Sequence, residues 1–253
     1  MMEIDKYLQR IGIGNTKGIG LETLSQLQLQ HMLHVPFENL DVMHHIPIPL
    51  DVETYYKKIV LNQRGGFCYE LNGLFNWLLQ NLGFKSHFIS GTINRPDGSW
   101  AKNGSHATQI VNLDQAYLVD VGFGDSARVP IPLTGETRED ISGVYRAIKL
   151  REKIFDLQRK ENEYEWNTLF RFDITPRKLT DFDEACHFNQ TSSKSHFTQK
   201  EIVSLATLDG RMTFSGNSLI ATHHGEKQKT TVSNSKKSSV LEQYFGIHFN
   251  HSV

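Results

Sequence analysis

The sequence predicts an α+β protein in which helices come first and strands follow. Three observations carry this prediction. Apolar residues recur at helical spacing through about residue 82, and from Phe84 the period falls towards two. Turn signals then cut the later chain into short runs, at Arg95-Pro96-Asp97-Gly98, Lys102-Asn103-Gly104 and Asn112 to Gln115. Segregated runs of helix and strand, rather than strict alternation, are the pattern of an α+β fold.

In chain order, Ile4, Tyr7 and Leu8 give a first helical face. Gly12-Ile13-Gly14-Asn15-Thr16-Lys17-Gly18 follows a helix rather than a strand and lacks GxGxxG spacing, so it reads as a turn. Thr23 or Ser25 is placed to cap a helix through Leu24, Leu27, Leu29 and Leu33. Pro36 stops it. Glu38 and Asn39 then sit between apolar residues, either as a polar loop or as buried partners of a later segment such as Arg64. Residues 46–50 carry Pro47 and Pro49 and read as an extended link, and Asp51 is placed to cap a helix through Val52, Tyr55, Tyr56 and Ile59. Leu71, Leu74, Phe75, Leu78 and Leu79 mark a further helix that ends near Gly83.

Strand runs follow around Phe88, at 107–112, 117–121, 145–150, 154–157 and from Tyr164 to Phe172, as a meandering antiparallel sheet or barrel. Thr175-Pro176-Arg177 ends it, and 181–188 reads as a short helix. Residues 202–215 read as a hairpin around Asp209-Gly210. The polar stretch 225–239 reads as a mobile loop, and Ser239 to Phe249 as a final helix.

Composition narrows the function classes. A chain of 253 residues can build one large unit or two to three subdomains around a substantial core. With 38% hydrophobic and 22% charged residues it is ordinarily globular. A net charge of −1 without a long basic run argues against a nucleic-acid partner. Two cysteines, Cys68 and Cys186, do not make a disulfide framework. The N-terminus lacks a signal-peptide pattern, and no apolar run approaches the roughly 20 residues of a membrane span. The expectation is a reduced, cytoplasmic protein without membrane association.

The chemistry centres on Arg64-Gly65-Gly66-Phe67-Cys68-Tyr69-Glu70-Leu71-Asn72. Two glycines allow a sharp turn and close approach to a ligand. A cysteine in the first turn of a helix faces free N–H groups and the positive end of the dipole, which favour the thiolate. Free cysteine is equally at home as a small buried hydrophobe. A cysteine nucleophile needs a base and an orienting group. His106 opens a strand just after the turn Asn103-Gly104-Ser105, and Asp120 lies in the apolar run Leu118-Val119-Asp120-Val121, where an acid is costly unless paired. Two adjacent antiparallel strands bring this pair together. Cys186 has no glycine turn before it and reads as inert. No CxxC, HxxxH or HExxH pattern closes a metal site, so no metal is expected.

These residues resemble the arylamine N-acetyltransferase family. The resemblance rests on Pro36-Phe37-Glu38-Asn39-Leu40, the RGGxCxExN segment around Cys68, His106, and Asp120-Val121-Gly122-Phe123-Gly124. Ser195-His196-Phe197-Thr198 and Ser204-Leu205-Ala206-Thr207-Leu208-Asp209-Gly210-Arg211 extend it over nearly the whole chain.

The resemblance implies three parts: a helical bundle over 1–83 carrying the cysteine, a β-barrel-like domain over 84–190 with a trailing interdomain helix, and an α/β lid over 191–253. Their core would be papain- and transglutaminase-like. It implies ping-pong acetyl transfer from acetyl-CoA, through Cys68, His106 and Asp120, to an arylamine, arylhydroxylamine or arylhydrazine. Phe37, Phe67 and Phe123 would form an apolar acceptor slot, with plain core packing equally open for Phe67. Gly122 and Gly124 would let their loop approach the acetyl group. Gly104, Thr198 and Ser204 would contact the CoA moiety. Arg64, Glu38 and Glu70 would brace the cysteine loop. Family members with longer tails reach back towards the active site, so a chain ending at Val253 implies a more open pocket.

Overall fold

A computed structural model describes residues 1–160 and 165–248. Helices fill the first third: α1 (Ile4–Arg10), α2 (Leu21–His34), α3 (Leu40–Met43), α4 (Val52–Tyr56) and α5 (Cys68–Asn81), interrupted by the two-residue strand β1 (Phe37–Glu38). Asp51 caps α4 as expected, its Oδ2 accepting from the Thr54 N–H at 2.8 Å. Helix α2 starts earlier than expected. It follows extended Gly20 without any side-chain cap, so Thr23 and Ser25 lie inside it and Thr23 is buried.

Helix α5 is the axis of the molecule. Every residue from Cys68 to Asn76 is buried, as a helix enclosed on all sides must be. Gly73 lets α4 come close, since a Cβ there would stand 2.9 Å from the Tyr55 ring. On its other flank Asn76 Nδ2 donates to Gln109 Oε1 at 2.9 Å, tying the helix to the sheet.

That sheet has eight strands: β2 (Lys85–Ile93), β3 (His106–Asn112), β4 (Ala116–Val119), β5 (Ile131–Pro132), β6 (Arg138–Asp140), β7 (Gly143–Arg151), β8 (Ile154–Lys160) and β9 (Trp166–Arg177). Their order is β5-β4-β3-β2-β9-β8-β7-β6, and every pairing is antiparallel. The sheet curls into a near-barrel with β5 close to β7, around a core that includes Ile110, Leu118, Tyr145, Phe155 and Phe170. Tyr164, expected at the start of a strand, lies outside the described residues.

A connecting helix, α6 (Asp183–Thr191), leads to a second antiparallel sheet of β10 (Ile202–Thr207), β11 (Gly210–Ser215), β12 (Ser218–His223) and β13 (Glu226–Thr231). β1 completes this sheet at its edge, Phe37 opposite Ser204 and Glu38 opposite Val203. Helix α7 (Lys237–Phe245) covers it through Leu241 and Phe245 against Val203 and Phe214.

Two expectations are corrected here. The stretch 225–239 is not a loop: it holds β13, a 3-10 turn and the start of α7. β13 pairs with β12 on one side only, so all its side chains are exposed and its polar Glu-Lys-Gln-Lys-Thr-Thr sequence shows no alternation. The last helix runs from Lys237 to Phe245 rather than from Ser239 to Phe249, because Gly246 takes a left-handed φ of 64° and ends it. Phe249 and the chain end fall outside the described residues.

Candidate active site

The site begins with the two glycines before Cys68. A Cβ on Gly65 would sit 2.0 Å from the Pro36 carbonyl oxygen, and one on Gly66 would sit 2.7 Å from the Glu70 side chain. The glycines therefore serve close packing against protein rather than against a ligand. Glu70 reaches back to accept from the Phe67 N–H at 3.0 Å, one half of a capping box that starts α5 at Cys68.

Charges brace this start from below. Arg64 donates to Glu38 Oε1 through Nε and Nη2 (3.0 and 2.7 Å) and to Asp41 Oδ1 through Nη2 (2.9 Å). Lys58 Nζ lies 2.7 Å from Asp41, 2.8 Å from Glu70 and 3.6 Å from Glu38. Three carboxylates thus share two cations with little solvent. Burial pushes the Glu70 carboxyl up to about 7, against the pull of Lys58, which suits a cluster one positive charge short. Burial depresses the Lys58 ammonium, but the surrounding carboxylates outweigh it and raise the group above its ordinary value.

His106 and Asp120 meet where β3 begins and β4 ends. Gln109 stands opposite Val119 in the register, so Asp120 falls just past β4 rather than inside it and turns towards the helix. His106 Nε2 and Asp120 Oδ2 are 2.5 Å apart, both residues buried. The other Asp120 oxygen accepts from Asn72 Nδ2 (3.0 Å) and the Gly122 N–H (2.8 Å). Asn72 Oδ1 accepts from the Val121 N–H at 3.0 Å. Asn72 lies one turn beyond Cys68 on α5, so one helix delivers the thiol and fixes the acid.

Burial pushes the His106 imidazole down. The charge and hydrogen bond of Asp120, with a further contribution from Cys68, outweigh it and hold the ring well above its ordinary value. Burial pushes the Asp120 carboxyl up, but His106, Asn72 and Gly122 hold it below the usual carboxylate range. The Cys68 side chain and the His106 ring face the same cavity and interact electrostatically. With Nε2 committed to Asp120, Nδ1 is the nitrogen left for the thiol.

Cys68 and His106 open into a cavity of about 1030 Å³ between the near-barrel, α6 and the second sheet. Phe37, Phe123, Gly122, Gly124 and Ser204 line it. The Phe123 ring meets His106 edge-on at 5.8 Å. A Cβ on Gly122 would come 2.8 Å from Cys68 Cα, so this glycine lets its loop approach the nucleophile's own backbone. Gly124, with φ +88°, lies against the Phe37 ring.

Three expected contacts fall elsewhere. Phe67 is fully buried, packed edge-on between Tyr69 and Phe197, and does not line the cavity. Thr198 does not line it either, since its hydroxyl is spent on the Ser192 and Ser195 carbonyls, both at 2.9 Å. Gly104 lies behind Ser105, its N–H donating to Thr92 Oγ1 at 2.8 Å. Cys186 is buried in α6, its sulfur accepting from Gln190 Nε2 at 3.2 Å, and burial pushes its thiol up to about 12.

Sequence reasoning passed over Lys58, Asp41 and the role of Asn72. For Asn72 a signal existed: it is an amide at the fourth position after Cys68, on the same face of the helix.

Comparison with known proteins bears on this arrangement. A family model for N-acetyltransferases matches residues 20–253. The pineal gland arylamine N-acetyltransferase NAT-10 of Gallus gallus is 32% identical over 248 residues, covering 90% of this chain and 86% of its own. The chain belongs to the arylamine N-acetyltransferase family. Human arylamine N-acetyltransferase 1 is 29% identical, with 97% of this chain and 94% of the human one covered. The arylamine N-acetyltransferase of Bacillus cereus, described as having a Cys-His-Glu triad, superposes with a TM-score of 0.91 at 27% identity, over 98% of this chain and all of that one. The Mycobacterium marinum enzyme in complex with CoA superposes with a TM-score of 0.88 at 29% identity, over 97% and 93%. As a member of this family the chain is an acyltransferase that carries acetyl from acetyl-CoA to an arylamine. Among the described residues no helix is long and apolar enough to cross a membrane.

Proposed function

We propose that acetyl passes through a thioester on Cys68, with His106 as proton carrier and Asp120 as its orienting group. The observation that supports this most is the buried 2.5 Å contact between His106 and Asp120, held by Asn72 from the helix that bears Cys68. A charged imidazole beside the sulfur favours the thiolate, which is the nucleophile.

In the first half-reaction Cys68 Sγ attacks the acetyl carbonyl, and the carbon–sulfur bond to CoA breaks. CoA leaves with the proton that His106 held. In the second, an amine nitrogen attacks the acetyl-cysteine, His106 takes its proton, and the Cys68–acetyl bond breaks to return the ion pair. Thioester exchange is close to thermoneutral, so the intermediate is reachable from acetyl-CoA. Aromatic amines are weakly basic and stay neutral at pH 7, which suits them, and aromatic hydroxylamines and hydrazines, as attackers.

Phe37 and Phe123 would flank the acceptor ring, with Gly122 and Gly124 giving the loop its close path. Ser204 would contact the donor from the second sheet. The segments 1–83, 84–190 and 191–253 would then bear the nucleophile, bear the base, and cover the cavity.

Mixing the protein with acetyl-CoA alone tests the scheme. A burst of about one free CoA per chain, followed by a slow phase, is expected for covalent catalysis. Release of CoA only after an arylamine is added would overturn it.

A further inference from the structure

The start of β3 has a partner strand on one side only. β2 pairs with it from His106 onward, with Gly91 opposite His106. On the other side β4 begins to pair only at Gln109, opposite Val119. The carbonyls of Ser105 and Ala107 are two residues apart, so they point the same way, into the place that β4 leaves open. A buried carbonyl without a donor is costly. Helix α5 supplies the donors from two side chains on one face. Asn72 Nδ2 donates to the Ala107 carbonyl at 2.8 Å, and the Tyr69 hydroxyl donates to the Ser105 carbonyl at 2.6 Å.

The second of these bonds joins the two sides of the reaction centre. Tyr69 directly follows Cys68. The Ser105 carbonyl belongs to the planar peptide unit whose nitrogen is that of His106. The Tyr69 ring is fully buried between Phe67, edge-on at 5.0 Å, and Phe182 at 5.9 Å. Its hydroxyl is therefore a fixed point carried by α5. On the β2 side Gly91 leaves room for the imidazole, since a Cβ there would stand 3.3 Å from His106 Cδ2.

A residue from a third element holds this bond. Asn189 lies near the end of α6 and is buried. Its Nδ2 donates to the Tyr69 hydroxyl at 3.2 Å and to the Ser105 carbonyl at 3.3 Å. Ser195 Oγ donates to the Asn189 carbonyl at 3.2 Å and pins the end of the helix. Burying an amide costs free energy unless it is hydrogen-bonded. The two partners that this amide finds are the neighbours in sequence of the nucleophile and of the base.

We propose that Asn189 is a positioning residue: from α6, through the Tyr69 hydroxyl and the Ser105 carbonyl, it sets the spacing between Cys68 and His106. This rests on Cys68 and His106 forming the reactive pair. Asn189 works through the peptide unit that carries the base. A shift of about 1 Å in such a pair is enough to lower the rate by up to about a hundredfold.

Alkylation by iodoacetamide at pH 7, followed on the Cys68 peptide, separates positioning from packing. Asn189→Leu keeps the bulk and removes the donors, and Tyr69→Phe removes only the hydroxyl. Each should slow alkylation about threefold, and the two together should approach the slowing of about tenfold expected of His106→Gln. Loss of packing alone acts in the opposite direction, because a loosened fold exposes the buried thiol and speeds its alkylation. Rates in both variants equal to or above the wild type, with His106→Gln slow, would overturn the proposal and leave the ion pair standing. His106→Gln reacting like the wild type would instead remove the reactive pair on which the proposal rests.

Discussion

At the residue scale the account turns on which groups carry charge in a buried place. His106 is buried, yet its imidazole is lifted because Asp120 sits 2.5 Å away and is itself held ionised by Asn72 and Gly122. A base whose folded value is raised keeps its proton until the pH climbs through that value and loses it only above. Between pH 6 and 8 the ring beside Cys68 therefore stays charged, and His106→Gln, which removes that charge, should slow alkylation of Cys68 by iodoacetamide about tenfold at pH 7. Equal rates for the two proteins would remove the ion pair from the mechanism.

At the scale of elements, the first turn of α5 is held by a charge cluster that links three stretches of chain. Glu38 and Asp41 come from the β1–α3 segment, Lys58 from the turn after α4, and Arg64 and Glu70 from the cysteine segment itself. Removing one buried partner strands the others. Arg64→Ala should therefore cost about 3–5 kcal/mol of stability. A double-mutant cycle with Glu38→Ala, read by urea unfolding, should show a coupling of about 1–3 kcal/mol. Additive single effects would mean that the two side chains do not act together.

At the scale of the molecule, the sequence yielded the α+β class, the hairpin turns and the residues of the chemical centre, because each leaves a local mark. A glycine pair before a cysteine, an acid in an apolar run and an Asp-Gly turn are visible without knowing what they touch. What pairs over long range left no such mark. β1 is two residues long and forms its sheet with residues more than 160 positions later. β13 pairs on one side only and reads as polar loop. Lys58 looks like any solvated lysine in its own segment, and only the fold brings three carboxylates to it. The aromatic expectations divided for the same reason: Phe37 and Phe123 reach the cavity, while Phe67, with equal apolar character, is enclosed by Tyr69 and Phe197.

The central claim is a covalent one, and the mass of the intact protein tests it most directly. After brief exposure to acetyl-CoA without acceptor, the wild type should gain a single acetyl group that maps to Cys68 and is discharged by an arylamine. Cys68→Ala should gain none, while Cys186→Ala should still be acetylated. A folded wild-type protein that gains no acetyl group, or one whose acetyl group lies on another residue, would contradict the account.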